Sequence, residues 1–273
     1  MGKFDGILIC TDLDGTLYKR DKTISNENKE AIDYFKREGG SFTFITGRMP
    51  YYSLGAFDAV RPNVAFGCVN GGGLYDGTEG YYIWTRELPL DALELVRLID
   101  EKFPEVGIQL CGFERTYFAK ENETTVRFRR VTGVPENPCD YRNFNEKLGK
   151  IIFSTDIEEE LLGVERALRS HAKACEFDFV RSERTLFEIL PKGVDKGLAL
   201  LKLSEHLGIN AARTIAVGDY DNDIAMLRAA GLGVAVANAC KKAIEAADMV
   251  TVSNEESAIA KIISGLDDGT IVL

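Results

Sequence analysis

Apolar runs that each end at a polar residue are the strongest constraint on how this sequence folds. The first run, residues 7–10, leads into Asp12 and Asp14, and the later runs end at four more polar residues: Thr46, Asn70, Asp219 and Asn238. Segments with helical spacing of apolar residues separate the runs, so strands and helices alternate. This alternation predicts the α/β class, with a Rossmann-like parallel sheet core and helices on both faces.

The polar endings also predict a binding site, because ligands of open parallel sheets bind outside the carboxyl ends of the strands. Asp12 and Asp14 are two residues apart in an extended segment, so both carboxylates project to the same side. Two acids so close repel each other unless a proton or a cation lies between them, and Mg²⁺ is the natural oxygen-binding candidate. Gly15 permits a sharp turn, and Thr16 can orient an acid. On this segment alone, an ordinary Asp-Gly turn after a strand is an equally good explanation.

A different pattern occupies residues 83–189. Two longer helices are predicted at 89–103 and 156–171, the second capped by Asp156, together with strands near 106–110, 116–119, 149–154, 176–180 and 185–190. Several strands with few helices indicate a separate α+β domain inserted at 83–189. The predicted core with the parallel sheet is therefore formed by residues 1–82 and 190–273. Arginines at 127, 129 and 130 in the insert are read as a solvated helix face, with contact to a second anionic group as the alternative.

Composition excludes several functional classes. The formal net charge of −10 argues against a nucleic-acid partner, and no apolar run approaches the length of a membrane span. The six cysteines are scattered, without C-x-x-C pairs, and are predicted to be buried reduced thiols. Together with the lack of a signal-peptide pattern, this predicts a cytoplasmic protein.

Four segments, in order, resemble the motifs of the haloacid dehalogenase (HAD) superfamily of phosphotransferases. They are Asp-Leu-Asp-Gly-Thr at 12–16, Thr-Gly-Arg at 46–48, Gly-Val-Asp-Lys-Gly at 193–197 and Gly-Asp-Tyr-Asp-Asn-Asp at 218–223. The resemblance extends over about residues 7–263. It is closest to the Cof-type branch, subfamily IIB, whose members are similar to sugar phosphatases, and the position of the insert resembles the C2 type of cap.

The resemblance implies roles for the most strongly matched residues. Asp12 would be the nucleophile that forms an aspartyl-phosphate. Asp14 would be the general acid and later the general base, with a raised pKa. Lys196 would pair with both the phosphate and the nucleophile. Mg²⁺ would be bound by Asp12, Asp219 and the backbone carbonyl of Asp14.

Weaker or supporting roles follow for the remaining motif residues. Five are expected to bind the phosphate or the substrate: Thr46, Gly47, Arg48, Asn70 and Asn222. Pro50 is expected to open a helix whose N-terminus favours an anion. Thr16 and Asp223 are expected to support the site, with Asp223 orienting Lys196 or a metal-bound water.

The sequence therefore predicts a Mg²⁺-dependent phosphatase that acts on a small phosphomonoester, such as a sugar phosphate. The cap would exclude water and select the leaving group. One alternative is a phosphomutase that forms the same intermediate and passes the phosphoryl group to a sugar. The other is a non-enzymatic receiver phosphorylated on aspartate, against which Asp14 and the cap both argue. The partner expected is a small phosphorylated molecule, with neither nucleic acid nor membrane.

Overall fold

The computed structural model describes residues 2–273, which form thirteen strands and nine α-helices. The strands are β1 (Leu8–Thr11), β2 (Ser41–Phe44), β3 (Phe66–Cys68), β4 (Gly73–Asp76), β5 (Tyr81–Thr85), β6 (Gly107–Gly112), β7 (Thr116–Lys120), β8 (Leu148–Ser154), β9 (Phe177–Glu183), β10 (Leu186–Pro191), β11 (Thr214–Gly218), β12 (Leu232–Ala235) and β13 (Met249–Val250). The helices are α1 (Asn26–Arg37), α2 (Leu54–Val60), α3 (Leu93–Lys102), α4 (Glu123–Thr132), α5 (Glu158–Arg169), α6 (Lys196–Leu207), α7 (Ile224–Ala229), α8 (Lys241–Ala246) and α9 (Ala258–Asp268).

The chain divides into two compact units. The core unit combines the chain up to Trp84 with Asp195–Leu273, and the inserted unit is the continuous segment Thr85–Val194. Both boundaries lie a few residues beyond the predicted positions of 83 and 189. The core unit is therefore assembled from two segments that are distant in sequence.

A parallel five-stranded sheet organises the core unit, in the order β13-β12-β11-β1-β2. The interior strand β1 pairs with β11 on one side, with Leu8 opposite Thr214, and with β2 on the other, with Leu8 opposite Ser41. Every residue of β1 is fully buried, which explains its continuous apolar sequence. Leu8 and Cys10 pack with α6 and α7 in one apolar cluster. The predicted α/β class with a parallel sheet is confirmed.

Strands β3, β4 and β5 form a second, three-stranded sheet that the sequence did not predict. β3 pairs antiparallel with β4, and a single parallel bridge between Ile45 and Gly67 links it to the core sheet. The chain reverses through Val69 and Asn70, whose φ angles are 57° and 51°. Left-handed backbone is rare for a β-branched residue, so sequence rules do not predict a reversal at Val69.

The inserted unit contains an antiparallel sheet in the order β7-β6-β8-β10-β9. Its apolar core joins α3 and α5 to one face of this sheet. The prediction that Asp156 caps α5 is wrong, because Ile157 precedes the helix and its N–H donates to the Thr155 hydroxyl at 3.2 Å. Asp156 instead forms two hydrogen bonds with Arg127.

Two other expectations, for Pro50 and for the cysteines, need correction. Pro50 opens only the short 3-10 turn Pro50–Tyr52, and α2 begins four residues later. Residues Asp221–Asp223 likewise form a 3-10 turn before α7. Of the six cysteines, Cys175 is exposed and two more are partly buried, so the prediction of burial fails for half of them. Among residues 2–273, none of the helices is both long and apolar enough to cross a membrane.

Gly71 provides a test of how tightly the β3–β4 reversal packs on α6. Its φ is +98°, and an added Cβ would lie 1.9 Å from the Asp195 carbonyl oxygen. Gly208, at φ +67°, has no atom within 4 Å of the same position. We expect Gly208→Ala to lower the free energy of unfolding by about 1–2 kcal/mol, the cost of left-handed backbone. Gly71→Ala should cost about 3 kcal/mol or more, because backbone must also move.

Urea denaturation of both variants measures this difference. Equal losses of stability would show that the β3–β4 reversal can move away from α6 without cost.

Candidate active site

The carboxyl edge of the core sheet brings the predicted polar endings together. Asp12 follows β1, and its N–H donates to the Val217 carbonyl of β11 at 2.8 Å. Asp219 follows β11 directly, and its Oδ1 accepts a hydrogen bond from the Thr16 hydroxyl at 2.8 Å. Asn238, which follows β12, donates from Nδ2 to the Gly15 carbonyl at 2.8 Å. Strand ends that are remote in sequence therefore share one site.

Lys196 is the centre of this site. Helix α6 begins at Lys196, and the preceding Asp195 caps it by accepting the Leu198 N–H at 2.8 Å. The Lys196 side chain is fully buried, and its Nζ lies 2.6 Å from Oδ1 of both Asp12 and Asp223. Burial alone would lower the pKa of Lys196, but the two carboxylates raise it above its ordinary value. The lysine is therefore held charged between two acids.

Asp223 has both of its oxygens committed to other groups. Oδ1 accepts from Lys196, and Oδ2 accepts the backbone N–H groups of Asp219 and Tyr220 at 2.9 and 3.1 Å. Asp223 is also fully buried. These contacts fix the turn after β11 and hold the ammonium group of the lysine in position.

Asp12 and Asp219 form the part of the site that could hold a metal ion. Carboxylate oxygens of Asp12, Asp219 and Asp223 lie within 4.8 Å of one another. Burial and neighbouring acids raise the pKa of Asp12 well above its ordinary value, although Lys196 opposes this effect. Burial, followed by repulsion from Asp223, raises the pKa of Asp219 to about 7. Buried carboxylate oxygens that also repel each other suit a hard divalent cation, which would balance their charge.

Gly15 permits the close approach on which this cluster depends. Its φ is +81°, and a Cβ at this position would lie 2.4 Å from Asp219 Oδ2. The turn after Asp12 can therefore pass directly beside the Asp219 carboxylate only because residue 15 has no side chain.

The protonation state of Asp14 differs from the one expected. Arg48 donates from Nε and Nη2 to its two oxygens at 2.8 and 2.7 Å, and Lys22 Nζ lies 2.7 Å from Oδ1. Burial would raise the pKa of Asp14, but the two cations hold it below its ordinary value. The expected raised pKa is therefore wrong for this arrangement, in which Asp14 is an ionised carboxylate.

The remaining substrate-binding candidates contact one another beside these acids. The Thr46 hydroxyl accepts the Arg48 N–H at 3.2 Å, so its own hydrogen remains available for a ligand. Asn222 donates from Nδ2 to Asn70 Oδ1 at 3.0 Å. A Cβ on Gly47 would lie 2.9 Å from the same Asn70 oxygen. The structure thus places all five of these predicted residues in one neighbourhood.

Sequence reasoning missed Lys22 and Tyr18. Lys22 lies in a polar loop with φ of 62°, and the Arg48 guanidinium lies 5.5 Å from the centre of the Tyr18 ring. Nothing in the sequence distinguishes Lys22 from the neighbouring loop residues Lys19 and Arg20. Only the fold of the loop between β1 and α1 brings it to Asp14.

The chemistry available at this edge is that of group transfer to a carboxylate. Asp12 can act as a nucleophile beside a fixed cationic Lys196, which would stabilise negative charge that develops on an attacked group. Asp14 lies two residues away and can exchange a proton. A phosphoryl group, with charge on three oxygens, is well matched to such a set of cations and donors.

Comparisons with known proteins agree with this chemistry. Residues 9–263 match the haloacid dehalogenase-like hydrolase family. The chain is 31% identical to the 5-amino-6-(5-phospho-D-ribitylamino)uracil phosphatase YitU of Bacillus subtilis, over 94% of this chain and 96% of that protein. A haloacid dehalogenase-like hydrolase from Bacteroides thetaiotaomicron superposes with a TM-score of 0.82 at 25% identity, covering 94% and 98% of the two chains.

A subclass IIB sugar phosphatase of the same superfamily has a similar fold, with a TM-score of 0.83 at 23% identity over 97% of this chain and 100% of that one. The family match confirms the suspected resemblance to the haloacid dehalogenase superfamily, and with the similarity to a phosphatase it confirms the prediction of an enzyme that hydrolyses phosphate esters. The chain belongs to the family of haloacid dehalogenase-like hydrolases.

Proposed function

We propose that this protein is a Mg²⁺-dependent phosphatase that hydrolyses a small phosphomonoester through a phosphorylated Asp12. The observation that carries the proposal is the buried Lys196, held at 2.6 Å from both Asp12 and Asp223. Burying three charged groups is costly, and a purely structural element would not require it. A preorganised cation beside a nucleophilic carboxylate is what phosphoryl transfer requires.

In the first half-reaction an Asp12 oxygen attacks phosphorus and the bond to the ester oxygen breaks. Lys196 holds Oδ1 of Asp12, which leaves the second oxygen of that carboxylate for the attack. The hydroxyl of Thr46 and the amide of Asn222 would donate to the phosphoryl oxygens. Mg²⁺, held by Asp12, Asp219 and the backbone carbonyl of Asp14, would neutralise negative charge on the phosphoryl group when bound.

Asp14 then has two tasks, which require opposite protonation states. In its protonated form it donates a proton to the departing alkoxide, and in its ionised form it takes one from the water that attacks the aspartyl-phosphate. The structure holds the ionised form, paired with Arg48 and Lys22. We infer that an anionic substrate competes for Arg48 and so frees Asp14 to carry its proton.

The core unit is proposed to carry the chemistry and the inserted unit to select the substrate. The similarity to YitU supports 5-amino-6-(5-phospho-D-ribitylamino)uracil as the first compound to test on this chain. Small sugar phosphates are the second group, in keeping with the structural similarity to a sugar phosphatase.

Substitution of the nucleophile tests the mechanism. We expect Asp12→Asn to lower kcat for phosphate release by about 10³-fold or more, because no aspartyl-phosphate can form. The measurement is release of inorganic phosphate from the compounds above, with Mg²⁺ and with EDTA. Asp33→Asn is the control, since Asp33 is an exposed residue of α1 that pairs with Lys36. Turnover by Asp12→Asn at the rate of the control would refute the assignment.

Metal binding can be measured without turnover. We expect saturating Mg²⁺ to raise the Tm of the wild-type protein by several degrees, because a ligand at about 100 times its Kd stabilises the folded state by about 2.7 kcal/mol. Asp219→Asn should lose most of this increase. Asp221→Asn should keep it, because Asp221 pairs with Lys242 instead. If Mg²⁺ raises the Tm of both variants equally, Asp219 is not a ligand of the metal.

The pH dependence of Mg²⁺ binding follows from the raised pKa of about 7 at Asp219. A carboxyl whose pKa is raised by folding destabilises the metal-free protein as pH increases from its ordinary value towards 7. Mg²⁺ binds the ionised form, so its apparent affinity should increase between pH 5 and pH 8. Calorimetric titration measures this slope, and an equally steep slope in Asp219→Asn would assign it to another group.

A further inference from the structure

The turn at residues 13–18 carries Asp14, and its backbone is irregular. Asp14 has φ of −79° and ψ of 119°, and Gly15 has φ of 81°. The Tyr18 N–H donates to the Leu13 carbonyl at 2.8 Å and closes the turn. Backbone groups that a regular element would pair internally need partners from elsewhere in the chain. The position of Asp14 therefore depends on contacts that other segments make with this turn.

Two asparagines near the C-terminal end of the core unit hydrogen-bond to this turn. Asn238 follows β12 and donates from Nδ2 to the Gly15 carbonyl at 2.8 Å. Asn254 donates from Nδ2 to the Tyr18 carbonyl, also at 2.8 Å. The asparagines are bonded to each other as well, because the Asn254 N–H donates to Asn238 Oδ1 at 2.9 Å. We call Asn238 and Asn254 the asparagine pair, and all of these residues belong to the core unit.

Burial indicates that the amide of Asn254 is present for its hydrogen bond. Asn254 is 4% exposed, whereas Asn238 is exposed. An apolar side chain would fill the buried position without the cost of removing an amide from water. The bond from Asn254 Nδ2 to the Tyr18 carbonyl compensates this cost and at the same time fixes one end of the turn.

The segment that carries Asn254 is itself fixed. The Ser253 hydroxyl donates to the Glu256 carboxylate at 2.6 Å, which closes a capping box around the short 3-10 turn Asn254–Glu256. Glu255 adds another contact to the loop after β1, because its Oε1 accepts the Arg20 N–H at 2.8 Å. The asparagine pair therefore acts from a supported position, which is what precise placement of a reacting group requires.

Contacts to the backbone matter because the side-chain contacts of Asp14 change during the proposed reaction. An anionic substrate is inferred to displace Arg48 from the Asp14 carboxylate, so this ion pair cannot position Asp14 for proton transfer. Thr16 fixes the turn on one side by donating to Asp219 at 2.8 Å, and Asn238 fixes the carbonyl of Gly15, the residue next to Asp14. A displacement of about 1 Å in a reacting group can lower the rate by about 10²-fold.

We propose that the asparagine pair positions Asp14 for proton transfer by fixing the backbone of the turn at residues 13–18. Asn238 and Asn254 are thus positioning residues, which act through the turn and not on the substrate. The inference rests on the proposed phosphatase function, in which Asp14 gives a proton to the leaving oxygen and later takes one from the attacking water.

Amide hydrogen exchange tests whether the pair fixes the turn. We expect Asn238→Ala and Asn254→Ala to increase the exchange rate at residues 14–18, because each removes a bond that opposes local opening. Asn63→Ala is the matched control. Asn63 is also an exposed asparagine that bonds to two backbone groups, but these groups, the Gly40 carbonyl and the Phe42 N–H, lie at the amino end of β2. The control should leave exchange in the turn unchanged.

Phenyl phosphate and p-nitrophenyl phosphate test the effect on proton transfer. The two esters are similar in shape, but phenolate is the more basic leaving group and needs the proton of Asp14 more. We expect Asn238→Ala and Asn254→Ala to lower kcat/KM for phenyl phosphate about five-fold or more beyond their effect on p-nitrophenyl phosphate. A loss of folded protein lowers both values by the same factor and cancels in the ratio. Asn63→Ala should leave the ratio unchanged.

The outcomes separate this inference from the function on which it rests. Asn238→Ala is the decisive variant if Asn254→Ala fails to fold, because Asn238 is exposed. Unchanged exchange at residues 14–18, or equal losses of kcat/KM for the two esters, would overturn the positioning role and leave the phosphatase intact. Release of no phosphate from either ester by the wild-type protein would overturn the proposed function, and this inference with it.

Discussion

The active site depends on the placement of one buried ammonium group. Lys196 reaches Asp12 at the end of β1 and Asp223 in the turn before α7, so three segments of the core unit meet at its Nζ. Without its charge, Asp12 and Asp223 would be adjacent buried anions with no compensation. The close packing of the β3–β4 reversal against the start of α6, at Gly71, keeps this helix in position. Structure and proposed catalysis therefore depend on the same contact.

Much of the core could be predicted from sequence, because strands buried on both faces read as short apolar runs. Asp12, Asp219 and Asn238, the polar residues that follow apolar runs, predict the carboxyl edge of the sheet without the family resemblance. Parallel pairing of β1 with β11 explains why this reasoning succeeds, since Asp12 and Asp219 follow adjacent strands. Motif spacing added Lys196, which periodicity alone would have assigned to an ordinary helix N-terminus.

The failures have physical causes of their own. The sheet of β3, β4 and β5 depends on left-handed backbone at Val69 and Asn70, which no local propensity favours. The ionised state of Asp14 depends on Lys22 and Arg48, which only tertiary structure brings together. Lys150 and Glu188, which form a buried ion pair in the inserted unit, were not singled out from the sequence. A sequence pattern shows which side chains of a strand share one face of a sheet, but it does not show what covers that face.

The insertion of one unit within another also determines when the site can form during synthesis. The contact between Asp12 and Lys196 spans 184 residues, and β1 cannot pair with β11 until residues near 218 have left the ribosome. The inserted unit is continuous from Thr85 to Val194 and is complete earlier. The nascent chain thus carries β1 with an unpaired edge while the insert folds. Slow, non-local closure of the core sheet is the kinetic consequence of this architecture.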